Sequence, residues 1–474
     1  MAGIFGTDGV RARINTGLMR AESVVRLALA AGRWFVDHGQ DDDGPNQDGP
    51  NQDKKPPLVV IGKDTRLSGY MLESALVAGF SSIGMECKLL GPIPTATVSV
   101  MTQKLGAHLG VMVSASHNPH HDNGIKLFGP DGKKLADEIE IEISQLMQGS
   151  IALAEAENMG RVRRILDTAD IYCDYACETM PDKQIFKGLK VVVDCANGAA
   201  YMTAPKTLRA LGAEVIALYD EPDGLNINHG CGAVHPEKMA EAVVLHGADV
   251  GIALDGDADR LILADETGCI HDGDKVLAVI ATAMQEAGTL RPPVVGTLMS
   301  NLGLERYLDS RGIAFARAQV GDRYILKMLD GSDASQGEGG NLGGEGSGHI
   351  LMPDLIPSGD GLMAALQVLK ASVTNQKPLS YVLGIYESVP QRLVNLPNVD
   401  KAIIDDKQIV SLCQKLTEAF AGEGRILLRP SGTEPLVRVM VEATDSAKLD
   451  AVMDELTSAL MAVNARLQEA ASEG

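Results

Sequence analysis

The sequence predicts an α/β protein: three related α/β domains with mixed, largely parallel sheets, followed by a smaller C-terminal α+β domain. The length of 474 residues suggests about three domains. A content of 45% hydrophobic and 22% charged residues is an ordinary globular balance, with ample material for buried cores. Short β-branched runs alternate with helical stretches along most of the chain, a pattern that favours parallel sheets covered by helices.

A weak internal repeat indicates that the three α/β domains are related. Each copy begins with a strand, continues through a helix that ends near a glycine, adds a second strand and reaches a polar loop. The copies start at Leu58, Lys190 and Pro293, a spacing of about 100 to 130 residues that suits domain duplication. Ligands of such sheets bind beyond the carboxyl ends of the strands, so three loops are expected to face one central cleft. These loops are SASHNP (114–119), DGDADR (255–260) and GEGSGH (344–349).

The expected domain bounds are 1–155, 156–260, 261–375 and 376–474. In the last domain the pattern predicts strands over 386–396, 425–428 and 437–443, and helices over about 405–421 and 446–469.

One segment departs from the globular pattern. Residues 40–55 contain the string GPNQD twice and no apolar residue except proline. Such a stretch cannot bury enough surface to offset the cost of ordering. We therefore expect a disordered insert after a helix of about residues 21–38.

Composition excludes several classes of partner. The net charge of −21 makes the chain a poor partner for DNA or an anionic membrane surface, and one Trp is too few for a stacking platform. Seven cysteines, an odd number spread along the chain, do not suggest a disulfide framework. The N-terminus does not resemble a signal peptide, and the longest apolar run, Val276 to Met284, is too short to cross a bilayer. We therefore expect a cytoplasmic protein without nucleic-acid or membrane partners.

The strongest local signal is the sequence Asp255-Gly-Asp257-Ala-Asp259. Three carboxylates at alternate positions offer hard oxygen donors that suit Mg²⁺ or Ca²⁺. The alternative is a solvated acidic turn. An EF-hand is excluded because Arg260 stands where that loop requires glycine, and because the flanking segments predict strands.

A second candidate is Ser116, in a turn that follows the apolar strand Leu109 to Val113. Serines in turns usually bond to local backbone, and that alternative stays open. The neighbouring histidines, His117 among them, also allow a weaker zinc hypothesis. The third alternative is a serine that carries a phosphoryl group, which needs positive charge nearby; Lys126 is ten residues on.

Three further loops carry polar side chains of interest. Glu345 and Ser347 lie in a glycine-rich loop that suits the hydroxyls of a sugar, although such loops are often simple linkers. Arg11 follows a polar turn near the N-terminus, where it could reach a phosphate or be part of a frayed end. The sequence Arg429-Pro-Ser431-Gly432-Thr433, with Arg438 after it, predicts a phosphate cradle or, alternatively, a surface turn with a salt bridge.

These motifs, taken in order, resemble those of the α-D-phosphohexomutases. The resemblance spans nearly the whole chain outside 40–55. It rests on FGTDGVR (5–11), SASHNP with DNGIK (114–126), DGDADR (255–260), GDRY (321–324), GEGSGH (344–349) and RPSGTEP (429–435). It implies four domains around a central cleft, a Mg²⁺ ion and a phosphoserine.

The resemblance also implies roles for the candidate residues. Ser116 would be the phosphoserine and would hold Mg²⁺ together with the three aspartates of DGDADR. The side chains that would line the transfer site are Arg11, His117, Lys126 and Arg260. Glu345 and Ser347 would bind sugar hydroxyls. The phosphate that is not reacting would be held by Arg429, Ser431, Gly432, Thr433 and Arg438. The chain departs from the usual sugar loop at Gly346, where relatives most often have Gln.

The implied activity is a mutase that moves phosphate between O6 and O1 of a hexosamine through a 1,6-bisphosphate. The alternatives are a mutase for mannose or glucose phosphates, a Mg²⁺-dependent phosphatase and a non-catalytic sugar-phosphate sensor. The expected cofactors are Mg²⁺ and a hexosamine or hexose 1,6-bisphosphate, and the expected ligand is a small sugar phosphate. A homodimer, and activation of Ser116 by a kinase or by autophosphorylation, are further expectations.

Overall fold

The computed structural model describes residues 4–6, 8–38, 56–331, 339–430 and 436–472, with helix side chains described as far as residue 468. The predicted disordered insert at 40–55 lies outside this part of the chain. The contacts divide the protein into two units. One comprises Met1–Thr297 with Ala314–Ile385, and the other comprises Leu298–Ile313 with Tyr386–Gly474.

The first unit begins with a six-stranded mixed sheet, in the order β1-β5-β4-β2-β3-β6. Its strands are β1 (Val10–Arg13), β2 (Leu58–Lys63), β3 (Glu86–Pro92), β4 (Leu109–Val113), β5 (Asp122–Phe128) and β6 (Val162–Arg164). The helices around it are α1 (Ala21–His38), α2 (Ser68–Ser82), α3 (Thr95–Lys104), α4 (Asp137–Leu146) and α5 (Thr168–Glu178). The four strands β4, β2, β3 and β6 are parallel, whereas β5 is antiparallel to its neighbours.

Helices cover both faces of this sheet. Val59 and Ile61 pack with residues of α1, α2 and α4, while Val60 packs with residues of α3 on the opposite face. Successive side chains of a strand point to opposite faces, so a continuous apolar run is what a doubly covered strand requires. The predicted helix at about 21–38 and the predicted strand from Leu109 to Val113 are both confirmed.

The second sheet is also mixed, and it has five strands in the order β11-β10-β9-β7-β8. The strands are β7 (Lys190–Asp194), β8 (Glu214–Leu218), β9 (Val250–Leu254), β10 (Leu261–Asp265) and β11 (Ile270–His271). The helices here are α6 (Thr203–Ala210) and α7 (Glu237–His246). Strands β8, β7 and β9 are parallel, and β10 returns antiparallel to β9. The loop between β9 and β10 is DGDADR, flanked by strands as predicted.

The third sheet has four strands in the order β13-β12-β14-β15. The strands are β12 (Val294–Thr297), β13 (Phe315–Ala318), β14 (Gly343–Gly344) and β15 (Ile350–Leu351). The helices of this region are α8 (Gly273–Glu286), α10 (Asp322–Leu329), α11 (Gly361–Asn375) and α12 (Leu379–Leu383), whereas α9 (Leu302–Ser310), which follows β12 in the chain, belongs to the second unit. The glycine-rich loop GEGSGH turns the chain from β14 into the antiparallel β15.

The second unit contains an antiparallel sheet in the order β16-β18-β17, together with α9. Its other elements are β16 (Gln391–Pro397), α13 (Lys407–Ala419), β17 (Gly424–Pro430), β18 (Leu436–Ala443) and α14 (Ser446–Ser472). Asn301, just before α9, bonds through its side chain to both the backbone N–H and the carbonyl of Val389. The predicted strand at 386–396 was too long, because Pro390 has no N–H to donate and the strand begins only after it.

Short 3-10 helices are found at Gly17–Met19, Ala156–Asn158 and Lys401–Asp405. Within the described residues, no helix combines the length and the apolarity needed to cross a membrane. The predicted domain bounds at 155, 260 and 375 remain a prediction.

Candidate active site

Ser116 lies just beyond the carboxyl end of β4 and is almost fully buried, at 1% exposure. Its φ is 52°, a left-handed conformation that an L residue adopts only when its surroundings hold it there. The carbonyl oxygen of Ser116 accepts hydrogen bonds from Arg66 Nη2 (3.1 Å) and Asn228 Nδ2 (2.9 Å). Its N–H donates to Ser114 Oγ (2.9 Å). The backbone around this hydroxyl is therefore fixed from several directions.

The buried ion pair between Arg66 and Asp64 supports the turn that contains Ser116. Arg66 is fully buried and pairs with Asp64, whose carboxylate also accepts a hydrogen bond from Ser114 Oγ (2.5 Å). The guanidinium of Arg66 also bonds to the carbonyl oxygen of Asn118 (2.5 Å). Because one planar guanidinium holds two carbonyls of the same loop, it sets the shape of the turn that presents Ser116.

The three aspartates of DGDADR are brought together as the spacing predicts. Asp255, Asp257 and Asp259 are all buried, and each offers a carboxylate oxygen within 4.8 Å of the other two. Among the described residues, Asp257 Oδ1 is a buried oxygen with no hydrogen-bond donor, and Asp259 Oδ1 has only longer contacts, to His349 Nδ1 (3.6 Å) and Arg260 Nε (3.8 Å). Buried carboxylate oxygens without donors are costly unless a cation satisfies them. The donor set and these two oxygens fit a hard divalent cation such as Mg²⁺.

The hydroxyl of Ser116 is directly beside this cluster. Ser116 Oγ donates to Asp255 Oδ2 at 2.5 Å, although the two residues are 139 positions apart in the sequence. Burial, followed by the like charges of Asp259 and Asp257, raises the pKa of Asp255 to about 8. Ser116 and the three aspartates, which the sequence predicts in one site, therefore lie together, with Asp255 in direct contact with the serine hydroxyl.

Lys126, on β5, is the cation that faces the aspartates. Its Nζ lies 2.8 Å from Asp257 Oδ2, 2.9 Å from Asp259 Oδ2 and 3.2 Å from Asp8 Oδ2. Burial alone would favour the neutral amine, but the three carboxylates outweigh it and raise the pKa of Lys126 well above its usual value. The ammonium is therefore charged at neutral pH, which suits a group that meets phosphoryl oxygens.

His117, Arg260 and Arg11 surround the same point. His117 Nδ1 lies 3.3 Å from Ser116 Oγ. Burial, and then the charges of Arg260 and Arg11, lower the pKa of His117 to about 4, so the ring is neutral at neutral pH. Among the described residues, the Nε atoms of both arginines are buried without an acceptor. Two guanidiniums with spare donors suit an incoming anion.

The glycine-rich loop at 344–349, predicted to bind the sugar, is held by hydrogen bonds to the carboxylate of Glu345. Glu345 Oε1 accepts from the N–H of Gly321 (3.0 Å), and Glu345 Oε2 accepts from Ser347 Oγ (3.1 Å). Both side chains are only partly buried. They are consistent with the predicted contact to sugar hydroxyls, which stays a prediction.

Several site residues were missed by the sequence reasoning. Asp8 bonds to Lys126, Lys134 and Arg11, and His349 lies 3.6 Å from Asp259 and 3.4 Å from Asp322. Burial favours the neutral imidazole, but Asp259 and Asp322 outweigh it and raise the pKa of His349. Asp8 and His349 stand inside the motifs quoted above, and that position was the only available signal.

The predicted phosphate cradle lies on the β17–β18 hairpin of the second unit. Arg429 and Arg438 are directly opposite each other in the antiparallel register, and both are partly exposed. Two guanidiniums side by side repel each other unless an anion joins them. The remaining predicted cradle residues, Ser431, Gly432 and Thr433, lie outside the described residues.

A second cluster, Asp265, Cys269 and His271, occurs at the β10–β11 turn. Asp265 Oδ1 accepts from the backbone N–H groups of Thr267 and Cys269, and its other oxygen bonds to His271 Nε2 (2.8 Å). Both oxygens of the Asp265 carboxylate thus already have hydrogen-bond partners within the turn, and these local bonds account for the proximity of the three side chains.

Comparison with known proteins agrees with this arrangement. Four family descriptions match in order: phosphoglucomutase/phosphomannomutase α/β/α domain I (residues 2–152), domain II (170–268), domain III (272–389) and the C-terminal domain (389–459). The phosphoglucosamine mutase of Paracoccus denitrificans (strain Pd 1222) is 50% identical over 459 residues, which cover 96% of this chain and 98% of that protein.

Solved structures share the fold at lower identity. A phosphoglucomutase/phosphomannomutase family protein from Burkholderia thailandensis aligns with a TM-score of 0.75 and 24% identity, covering 96% of this chain and 97% of that one. The N-acetylphosphoglucosamine mutase of Aspergillus fumigatus, in complex with GlcNAc-6P and magnesium, aligns with a TM-score of 0.62 and 18% identity, covering 97% and 96%. The chain is thus an isomerase that belongs to the α-D-phosphohexomutase family, and it is most similar to the bacterial phosphoglucosamine mutases.

Proposed function

We propose that the chain interconverts glucosamine 6-phosphate and glucosamine 1-phosphate through a phosphorylated Ser116 and a 1,6-bisphosphate, a step that would feed UDP-N-acetylglucosamine and cell-wall precursor synthesis. The observation that carries the proposal is the contact between Ser116 Oγ and Asp255, one of three buried carboxylates that fit a divalent cation. The curated relatives at about 50% identity are phosphoglucosamine mutases, which supports glucosamine as the sugar.

The proposed first transfer moves the phosphoryl group from Ser116 to the free hydroxyl of the sugar monophosphate. The bond between phosphorus and Ser116 Oγ breaks, a bond to the sugar oxygen forms, and the sugar hydroxyl gives up its proton. In the second transfer, Ser116 Oγ attacks the other phosphate of the reoriented bisphosphate. The bond between that phosphorus and its sugar oxygen breaks, and the proton lost by the serine hydroxyl is returned to the sugar oxygen. Serine thus ends as it began, and the phosphate has changed its position on the sugar.

The buried charges have defined tasks in these transfers. Lys126, Arg11 and Arg260 would stabilise the phosphoryl oxygens, and the neutral His117 beside Ser116 Oγ would accept or return a proton. Asp255, Asp257 and Asp259 would hold Mg²⁺ together with an oxygen of the Ser116 phosphate. When bound, Mg²⁺ supplies charge that offsets the negative phosphoryl group.

A mutase also needs a second anion site, because the non-reacting phosphate must be held at either end of the sugar. Arg429 and Arg438, which face each other in the register of β17 and β18, would supply the positive charge for that task. Glu345 and Ser347 would contact the sugar hydroxyls between the two phosphates. The carboxylate of Glu345 and the hydroxyl of Ser347 would then contribute to the choice of sugar.

The test compares kcat/KM for the 6-phosphates of glucosamine, glucose and mannose, in the presence of a 1,6-bisphosphate. The proposal predicts the highest value for glucosamine 6-phosphate. A higher value for mannose or glucose 6-phosphate would identify the phosphomannomutase/phosphoglucomutase alternative. Release of inorganic phosphate in proportion to substrate loss would instead identify a phosphatase.

A further inference from the structure

A cavity of about 950 Å³ lies outside the transfer site, in the first unit of the protein. Its wall is formed by the end of α1, the turn at 106–108, the segment 129–139 that leads from β5 into the first turn of α4, and α10. Its volume is sufficient for a small organic molecule. None of the predicted catalytic or sugar-binding residues lines it.

One part of the wall is aromatic and apolar. Trp34 is half-buried there, stacked on His38 with 4.3 Å between ring centroids, and Leu135 and Leu326 contribute apolar surface. The indole N–H of Trp34 already donates to Glu142 (2.6 Å), which holds the ring in place. A fixed indole next to aliphatic side chains is a good surface for a planar apolar group.

The other part of the wall carries an excess of positive charge. Four lysine or arginine side chains line the cavity against three carboxylates, in a chain whose net charge is −21. Arg323 and Lys327 are paired with Asp137. The ammonium of Lys133, in contrast, has no ion pair or hydrogen bond within the described residues. This lysine is available to an anion.

Lys134 joins the cavity to the transfer site. Besides lining the cavity, its Nζ bonds to Asp8 and to Asp322 Oδ2 (2.5 Å). Asp8 contacts Lys126, which in turn contacts Asp257 and Asp259. An anion in the cavity that attracts Lys134 competes with Asp8 and Asp322 for the same ammonium, and so weakens the charge network around Lys126.

We propose that this cavity is a regulatory site for a small organic anion with a planar apolar body, and that its occupation lowers turnover through Lys134. The apolar body packs on Trp34, and the anionic group binds Lys133. Binding of the anion in the cavity does not depend on the proposed function, whereas the effect of that binding on turnover rests on the proposed function.

The probe is 8-anilinonaphthalene-1-sulfonate, which has a planar apolar body and one sulfonate. Trp34 is the only Trp of the chain, so energy transfer from indole to bound probe reports on probe bound in the neighbourhood of Trp34, and the substitutions below assign it to the cavity. We expect saturable quenching of Trp34 with sensitised probe emission, and loss of that emission in Trp34→Phe. Absence of saturable energy transfer to the folded protein would overturn the proposal.

Three substitutions separate the cavity from other binding surfaces. Lys133→Gln is expected to weaken binding about tenfold, the effect of losing one charge-assisted hydrogen bond. Ala136→Asp adds a carboxylate to the wall at the N-cap of α4, where Asp favours the helix, and it should weaken binding without harming the fold. Lys415→Gln, on exposed α13, is the matched control and should bind as the parent protein does. Equal affinity in all four proteins would contradict the assignment.

Turnover assays with the same probe test the coupling. We expect inhibition that saturates at the probe affinity measured by fluorescence, is not relieved by saturating sugar phosphate, and weakens about tenfold in Lys133→Gln. Saturable binding with unchanged turnover would overturn the coupling through Lys134. Purely competitive inhibition that is unmoved by Lys133→Gln would place the inhibitory probe at the substrate site and overturn the regulatory role. If the protein had no mutase activity at all, the fluorescence experiment would still decide the binding half.

Discussion

The transfer site and the β17–β18 hairpin both gather charge, but they do so in opposite ways. At the transfer site Ser116, Lys126 and the aspartates are buried and bonded to one another. On the hairpin Arg429 and Arg438 are opposite each other and partly exposed. Buried, preorganised charge stabilises a transition state because no water must be rearranged. Exposed charge exchanges a ligand easily. The difference fits the proposal that chemistry takes place at the buried site and that the hairpin holds the non-reacting phosphate.

The largest expected effect comes from removing the proposed phosphoryl carrier. Ser116→Ala should lower kcat by at least about a thousandfold, because no other group can replace a covalent acceptor. The turn is held by backbone contacts to Arg66 and Asn228, so the unfolding transition should be close to that of the parent. Steady-state assays and thermal unfolding measure the two effects. Ser74→Ala, on the exposed surface of α2, is the control, and near-full activity of Ser116→Ala would contradict the account.

A smaller loss is expected from weakening the cation site. Asp257→Asn keeps an acceptor for Thr95 Oγ1 and Lys126, but it removes one negative charge from the cluster. We expect kcat to fall about a hundredfold and the concentration of Mg²⁺ required for half-maximal activity to rise. Titration of chelator-treated protein with Mg²⁺ measures both. An unchanged Mg²⁺ requirement would remove Asp257 from the proposed ligands.

The hairpin should respond in substrate binding more than in chemistry. Arg429→Ala is expected to raise KM by roughly ten- to a hundredfold, since a charge-assisted bond to phosphate contributes about 1.5–3 kcal/mol. Initial rates over a range of sugar phosphate concentrations separate kcat from KM. Arg392→Ala, on the exposed edge strand of the same sheet, provides a control for loss of an arginine. If Arg429→Ala leaves KM unchanged, the hairpin is not the phosphate holder.

Buried carboxyl groups also give the first unit a pH dependence. Asp360 caps α11 and accepts from Tyr172 Oη (2.6 Å), and burial raises its pKa from 3.8 to about 6. Between about pH 4 and pH 6 the folded protein therefore holds a proton that the unfolded chain releases. The stability that this proton provides is lost as the pH rises through that range. Asp360→Asn retains a capping oxygen and does not titrate.

We expect the parent protein to lose about 2–3 kcal/mol of stability relative to Asp360→Asn over that pH window. Urea unfolding of both proteins at pH 4 and pH 7 measures the difference. A constant difference between the two proteins would show that Asp360 has the same pKa in the folded and the unfolded protein.

The smallest effect is expected in the sugar loop. A Cβ at Gly346 would lie 3.6 Å from the Asp274 carboxylate, an ordinary contact, so Gly346→Gln should fold normally. We expect a change of less than about fivefold in the ratio of kcat/KM for glucosamine and glucose 6-phosphates. Gly348→Gln would be a poor comparison, because its Cβ would clash with the Leu261 carbonyl at 1.9 Å. A large shift in the ratio would make Gly346 a major determinant of sugar choice.

The sequence predicted the individual motifs of the transfer site better than it predicted the side-chain contacts between them. The alternation of aspartates in DGDADR and the apolar strand before Ser116 are local patterns, and local patterns are visible in one sequence. The bond from Ser116 to Asp255 follows from how two sheets pack. Spacing along the chain carries no information on that contact. The internal repeat predicted only that the two loops face a common cleft, and the family resemblance only that they share a Mg²⁺ ion.

Long-range support residues were missed for the same reason. Arg66 is fully buried, yet in the sequence it is one arginine in a polar turn, and its contacts are about 50 residues away. Lys134 bridges Asp8 and Asp322, which are more than 300 positions apart. The strand predicted from residue 386 begins only at Gln391, because Pro390 has no backbone N–H to donate to a neighbouring strand.

Phosphorylation of Ser116 can be measured by peptide mapping with mass spectrometry, after incubation with a hexose 1,6-bisphosphate and Mg²⁺. We expect an added mass of about 80 Da on the peptide that contains Ser116, and no such addition in Ser116→Ala. We also expect that a sugar monophosphate removes this mass and becomes a bisphosphate. A protein that turns over sugar phosphate while the Ser116 peptide never carries the added mass would contradict the proposed role of Ser116.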